Sequence, residues 1–532
     1  MMVCSQICNQ APSIISITMR SYVLSIILVF LLVGGLLGKG LQVDAASVTS
    51  AKFDGPSNHL RGQLRRYMPP LEHDPQDRWP ILYWGAAPQD HLLAGDMIRR
   101  GIAPLCISTS LHTSTGFKAV QPFLKTLVVQ GKPVVMLPQG LVQRAFVKDI
   151  GGCPHQLPAR QEADNKLFSC PAWMYESPEV GRQAVKAQQI ALNLQRHGVV
   201  PASIWIDFES GAYLRNGNDK EKKVRLAMNE ALKCPRCLAR FGELNLNSPR
   251  KYQRVVDQAR SHVIRRAFSE PVRSVFPECR IGNFYAHPIL RQPQQAGLYP
   301  AYGWNGSLLD VAQPRCYMTP GWGGGGRDQG RVNWNIFLYC VRQFSNCAKV
   351  LRDDEMLVPW IGYLFHYGPA KRGAQWGFKI ASSGAYREMV IHTMMRGAET
   401  IAVFAPGSLA QRDFPDVYPP DFARRDMGPF LLNMLDVQQA YDRMLAYHDI
   451  LRHGQVLNYE IGGRYNALDQ HTAVWSGVGL DDRALIRTVS FGSDTTRTIS
   501  LFGNQVELPF KRTGQFFWVD QEGVVQVAGP LD

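Results

Sequence analysis

Eight short apolar, β-rich runs recur through the middle of the chain, at 81–85, 104–108, 133–138, 203–209, 280–285, 314–318, 357–365 and 400–405. Each closes on turn residues and leads into a stretch of helical character, which is the pattern of parallel βα units. The helical patterns at 180–197, 249–267 and 384–396 carry apolar residues three and four apart. Eight such units, with long inserts after the third, fourth, sixth and eighth, fit a closed barrel better than an open doubly wound sheet. The fold expected is therefore α/β, a (β/α)₈ TIM barrel over 78–450. A dinucleotide fold lacks its phosphate loop here: the glycine run 323–326 has no Lys-Ser/Thr behind it and reads as a turn or lid after the sixth strand.

The flanks differ in texture. From about Leu457 short strands follow one another without helices, at 484–491, 498–502, 515–519 and 524–528, so 451–532 is expected to be a C-terminal antiparallel β-sandwich domain. Residues 46–77 read as a polar lead-in. Before them Arg20 precedes an apolar run at 22–37, and Val43-Asp44-Ala45 offers small residues for cleavage, so 1–45 is expected to be a signal peptide or an uncleaved N-terminal anchor. Either way the body is expected to be secreted or periplasmic, touching a membrane only through an uncleaved N-terminal segment.

The formal charge is +14; residues 1–45 hold Arg20, Lys39 and Asp44, so the remainder carries +13. Such a surplus suits an acidic polysaccharide or an anionic envelope surface. Lys and Arg are scattered without a dense run or interleaved aromatics, so no nucleic-acid partner is expected. Of the 11 cysteines, Cys4 and Cys8 fall in the leader. Cys234-Pro-Arg-Cys237 has no second Cys-x-x-Cys to complete a zinc site and no strand leading in as a redox motif requires, so a structural disulfide is expected there, or from there to Cys153 or Cys170.

In barrels the reactive groups stand at the C-terminal strand ends. The fourth run ends Trp205-Ile206-Asp207-Phe208-Glu209, and strand alternation puts Trp205, Asp207 and Glu209 on one face with Ile204, Ile206 and Phe208 on the other. The helix-covered outside takes the apolar set, leaving two carboxylates inward near the mouth. Close carboxylates cannot both ionise easily, so one pKa should rise, which is how a Glu becomes a proton donor near neutral pH. Glu209 is the candidate general acid and Asp207 its modulator. Other strand ends supply Trp84, Gln139, Asn283, Tyr285, His287, Tyr317, Trp322, His366 and Tyr367, a lining of aromatic faces and hydrogen-bonding groups that suits sugar rings. No metal and no cofactor are expected, since the histidines do not gather at strand ends with ligand spacing.

Asp207-Phe208-Glu209 at the end of the fourth run resembles the Asp-x-Glu of hyaluronidase-like and chitinase-like glycoside hydrolases. The resemblance implies that Glu209 protonates the leaving oxygen, that Asp207 steadies a substrate acetamido group acting as internal nucleophile, and that Tyr317 or Tyr285 assists. Substrate assistance needs no second enzymic carboxylate. The sequence departs from the chitinase pattern at Trp205 and Ile206, where further acids would stand, and in the eighth run, which lacks a Trp. Asp413, Asp416 and Asp421 are the alternative source of a second carboxylate for a conventional two-acid hydrolase. The function expected is an exported glycoside hydrolase cleaving a polysaccharide or glycan, with a non-catalytic carbohydrate-binding or envelope-associated barrel as the alternative.

Overall fold

The computed structural model describes residues 56–85, 87–88, 90–107, 110–138, 141, 170–208, 219–288, 303–316, 329–361, 383–404, 429–461 and 473–528, all within the unit Gly55–Asp532. The leader and the apolar run at 22–37 lie outside these residues, and among the described residues no helix is long and apolar enough to cross a membrane.

Among the described residues, eleven strands pair in parallel: β1 (Ile81–Tyr83), β2 (Ile102–Pro104), β3 (Cys106–Ile107), β4 (Val135–Leu137), β5 (Ser203–Ile206), β6 (Arg280–Asn283), β7 (Val311–Ala312), β8 (Arg315–Cys316), β9 (Met356–Leu357), β10 (Trp360–Ile361) and β11 (Ala402–Val403). They form two sheets, in the orders β2-β1-β11-β10-β8 and β3-β4-β5-β6-β7-β9. Three stretches of chain give a strand to each sheet, because only Leu105 separates β2 from β3, Gln313 and Pro314 separate β7 from β8, and Val358 and Pro359 separate β9 from β10. Proline has no N–H to give a ladder, which accounts for two of these interruptions. Every one of the eight expected runs holds a strand, although the second begins earlier, at Ile102, and the sixth at Val311.

The crossovers are helices with legible starts. In Pro178–Arg196, Ser177 caps the first turn by accepting Glu179 N–H at 3.3 Å, Pro178 occupies the first position, and Ala187, Ile190, Ala191 and Leu194 form the buried stripe. Pro249–Ile264 starts the same way behind Ser248 and runs on as a π-helical turn, Arg265–Ser269.

Alternation sorts the strand residues of the five-stranded sheet. Leu82, Ala103, Trp360 and Ala402 share a core with Trp205 of the other sheet, whereas Ile81, Ile102, Ile361 and Val403 pack with the helices Gln329–Ala348, Ser383–Met394 and Pro429–Leu445. Trp205 has its place because Gly282, across the β5–β6 pair, carries no side chain: a Cβ there would lie 2.6 Å from both the Trp205 ring and the Gln313 amide nitrogen.

Among the described residues, seven antiparallel strands follow. β12 (Gln455–Val456), β13 (Ala473–Leu480), β14 (Arg483–Ser490), β17 (Gln515–Asp520) and β18 (Val525–Val527) make one sheet, and β15 (Thr495–Leu501) and β16 (Asn504–Phe510) make a hairpin. Along β14, Ala484 and Ile486 pack with the hairpin's Ile499, Leu508 and Phe510, while Leu485 and Val489 join the core of the helices 383–394 and 429–445. Arg487 points the second way and forms a buried double ion pair with Glu388, its Nε donating to Oε2 at 3.1 Å. His392, one turn on from Glu388, and Arg396 both bond the Ser476 hydroxyl of β13. Burial holds the His392 imidazole down at about 4, so it is neutral at ordinary pH.

The expected bridge from the Cys234 pair to Cys170 is not formed. Cys170 Sγ lies 3.9 Å from Cys234 Sγ and 3.4 Å from Cys237 Sγ, far beyond the S–S bond length of about 2 Å, and Cys234 is a free thiol.

Candidate active site

The residues just past the parallel strands converge. Trp84, immediately after β1, has its ring centroid 5.5 Å from Phe284 and from Phe404 and 5.8 Å from Trp360. Phe284 stacks on Tyr285 at 3.9 Å and meets Trp360 edge-on at 4.9 Å, and Trp360 in turn touches Trp205 at 5.9 Å. Trp84, Phe284, Tyr285 and Phe404 follow β1, β6 and β11, whereas Trp205 lies within β5 and Trp360 opens β10, so the rings come from both parallel sheets. Trp84 and Phe404 are half-buried and the others buried.

Asp207 lies directly beyond β5 and is 9% exposed. Strand alternation in the sequence puts it on the face of Trp205. Its position is held from β6: Phe208 N–H donates to Asn283 Oδ1 at 2.9 Å, and Phe284 N–H donates to the Ile206 carbonyl at 2.8 Å. Asn283, fully buried, thus ties the two strand ends together. A buried amide whose oxygen is bonded to backbone is a supporting part, and here it fixes the main chain immediately after Asp207.

Two residues on, Tyr285 has φ +70, the left-handed region that a bulky side chain rarely enters. Its ring lies under the Arg315 guanidinium of β8 at 3.8 Å. The turn is secured by Gln313, whose N–H donates to the Ala286 carbonyl at 2.8 Å and whose Oε1 accepts the Trp360 indole N–H at 3.2 Å. His287, half-buried, approaches the Pro288 carbonyl with Nδ1 at 3.0 Å. Burial and the Arg315 charge hold its imidazole below the ordinary histidine value against the carbonyl's opposing pull, so it is neutral near pH 7.

Of the residues singled out in the sequence, Trp84, Asp207, Asn283, Tyr285 and His287 therefore stand at the same ends of the strands, on β1, β5 and β6. Glu209, Gln139, Tyr317, Trp322, His366, Tyr367, Asp413, Asp416 and Asp421 lie outside the described residues. Phe284, Gln313, Arg315, Trp360 and Phe404 belong to this end of the strands and were not singled out. Arg315 had a signal, a lone charge inside an apolar run. The others read as ordinary strand core until the neighbouring strands are known.

The chemical content is a buried carboxylate at a strand end, aromatic faces, a neutral imidazole and a fixed guanidinium. That set can bind a hydroxyl-rich ring through stacking and hydrogen bonds, and it can move a proton.

No protein-family model matches the chain, and no curated protein matches it. Among solved structures it is similar to Gan42B, a GH42 β-galactosidase from G. stearothermophilus, at 12% identity and TM-score 0.38, over 69% of this chain and 57% of that one. It is also similar to a GH30 endoxylanase from Clostridium papyrosolvens C71, at 9% identity and TM-score 0.34, over 81% of this chain and 85% of that one. A third is Eubacterium rectale Amy13B, at 9% identity and TM-score 0.39, over 84% of this chain and 98% of that one. The chain thus spans less than two thirds of the β-galactosidase's length. Likenesses this distant carry no chemistry across to the chain.

Proposed function

We propose that the chain is a glycoside hydrolase acting on a polysaccharide or glycan, with Glu209 as general acid/base and Asp207 as the carboxylate that tunes it and steadies the reacting group. The observation that carries the reading is Asp207: a buried carboxylate just beyond a parallel strand, followed by Phe208, whose backbone N–H is tied to Asn283, and two residues later in the sequence by a second acid. The half-buried Trp84 and Phe404 beside Phe284 supply faces on which a sugar ring stacks.

The proposal includes a closed (β/α)₈ barrel, of which the two parallel sheets are two arcs. In support, β1 has a neighbour on each side, β2 and β11, and the stretches 102–107, 311–316 and 356–361 each enter both sheets. A substrate-assisted retaining mechanism fits the single Asp-x-Glu, with Tyr285 or Tyr317 assisting and the substrate's own acetamido oxygen as nucleophile. In the same reading the N-terminal segment exports the protein, and the basic surface draws an acidic polymer towards it.

The deciding measurement is hydrolysis of a panel of polysaccharides by the wild type and by Glu209→Gln. The variant should lose at least about 100-fold in kcat/KM with its melting temperature unchanged. Parallel loss of stability and activity would mark Glu209 as structural. Wild-type binding to glycans without any new reducing ends would favour the non-catalytic carbohydrate-binding alternative.

A further inference from the structure

We propose that Cys170, Cys234 and Cys237 bind a thiophilic divalent metal ion of the zinc class, and that this site fastens together the two inserts on either side of β5. It does not rest on the hydrolase reading.

The three sulfur atoms converge from distant parts of the sequence. They lie within 4.8 Å of one another, with Cys170 Sγ 3.9 Å from Cys234 Sγ and 3.4 Å from Cys237 Sγ. Thiolates at about 2.3 Å from a tetrahedral zinc sit about 3.8 Å apart, so the observed separations match the edges of such a tetrahedron. All three cysteines are at most 2% exposed.

The local sequence suits a metal knuckle. Cys234 caps the helix Pro235–Phe241 without any side-chain capping bond, and Cys237 stands in its first turn, so the Cys-Pro-Arg-Cys spacing turns both sulfurs towards Cys170. Three thiolates with one divalent ion carry a net charge of −1, and Lys233, Arg236 and Arg240 flank the pair in sequence. Binding releases three thiol protons to solvent and changes no oxidation state.

The surroundings need a staple. The cysteines sit in a small apolar cluster of their own, with Val224, Met228, Leu246, Tyr252 and Val255, apart from the cores that cover the parallel strands. Its elements include the very short helices Trp173–Glu176, Pro235–Phe241 and Glu243–Leu246. Helices of one or two turns do not hold themselves together, and small clusters of this kind gain their stability from a metal or a disulfide. Cys170 precedes β5 and Cys234 and Cys237 follow it, so one ion would clamp the chain entering the Asp207 strand to the chain leaving it. Three thiolates leave a tetrahedral ion one vertex for a further ligand.

The test uses the intact chain. Protein purified without chelator should hold one zinc per chain by elemental analysis, and a thiol-specific mercurial should release it. After zinc removal, cobalt(II) alone should give intense thiolate-to-metal charge-transfer absorption and tetrahedral d–d bands. Cys234→Ser/Cys237→Ser should reduce bound metal from one ion to none. Hydrogen exchange after chelation should rise within 170–176 and 219–264 and stay unchanged in the C-terminal strands, a readout that does not require the variant to fold. Wild type without metal that takes up no cobalt would overturn the proposal, as would a Cys234–Cys237 or Cys170 disulfide in non-reducing peptide mapping, or metal fully retained by the double variant.

Discussion

Gly282 is the residue whose smallness the site depends on most directly. A methyl group there would press on the Trp205 ring and on Gln313, at 2.6 Å each, and Gln313 is already held by Trp360. Neither neighbour is a loose surface chain, so Gly282→Ala should destabilise the protein by about 1–3 kcal/mol, measured by urea unfolding. Unchanged stability would mean that Trp205 can turn away. At this scale the sequence was legible only in part: alternation put Trp205 on one face with Asp207 and Glu209, and Trp205 meets Trp360 of the other sheet, while Glu209 lies outside the described residues. The sequence was silent on Asn283 as the tie for Phe208, and on Arg315 over Tyr285, because those contacts depend on which strands become neighbours.

Between elements, the pair Glu388–Arg487 joins the helix Ser383–Met394 to β14 in a buried setting. Removing one partner leaves the other charge without its counter-ion in an apolar seam. Arg487→Met should therefore cost about 3–5 kcal/mol, read from the thermal transition, and Glu388→Leu added to it should recover much of that loss. No recovery in the double variant would locate the cost in lost packing of the arginine stem. The elements themselves were easier to find than their limits. Runs of apolar residues placed every parallel strand except β7, which lies ahead of the run at 314–318, Pro359 split the run at 357–365, and the antiparallel strands 455–456, 473–480 and 504–510 were missed. The thiol cluster was read as a bridge because spacing along the chain does not reveal that Cys170 and Cys237 stop at 3.4 Å.

For the molecule as a whole, acid should be destabilising through the same seam. His392 is held at about 4 when folded against an ordinary 6.5, so the folded state binds fewer protons than the unfolded chain between those values. Stability contributed by the neutral imidazole is present above about 6.5 and is lost as pH falls towards 4, by at most about 3 kcal/mol. Burial pushes the Glu388 carboxyl up, but Arg487 and His392 outweigh it and hold it below its usual range, so its contribution also fades on acidification. Denaturation midpoints between pH 4 and 7 should fall with acid in the wild type and more shallowly in His392→Asn; identical slopes would remove His392 from the account.

The inner side of the last sheet, through Val474, Val478, Leu485, Val489 and Phe516, fills one core with Tyr386, Met389, Val390 and Met434 of the helices before it. A chain cut ahead of Gln455 would therefore leave those helices with a bare, greasy wall facing water. The terminal strands are a roof for the parallel half, not a detachable appendage, and grafting either half onto another protein would carry along a seam with nothing to fit it.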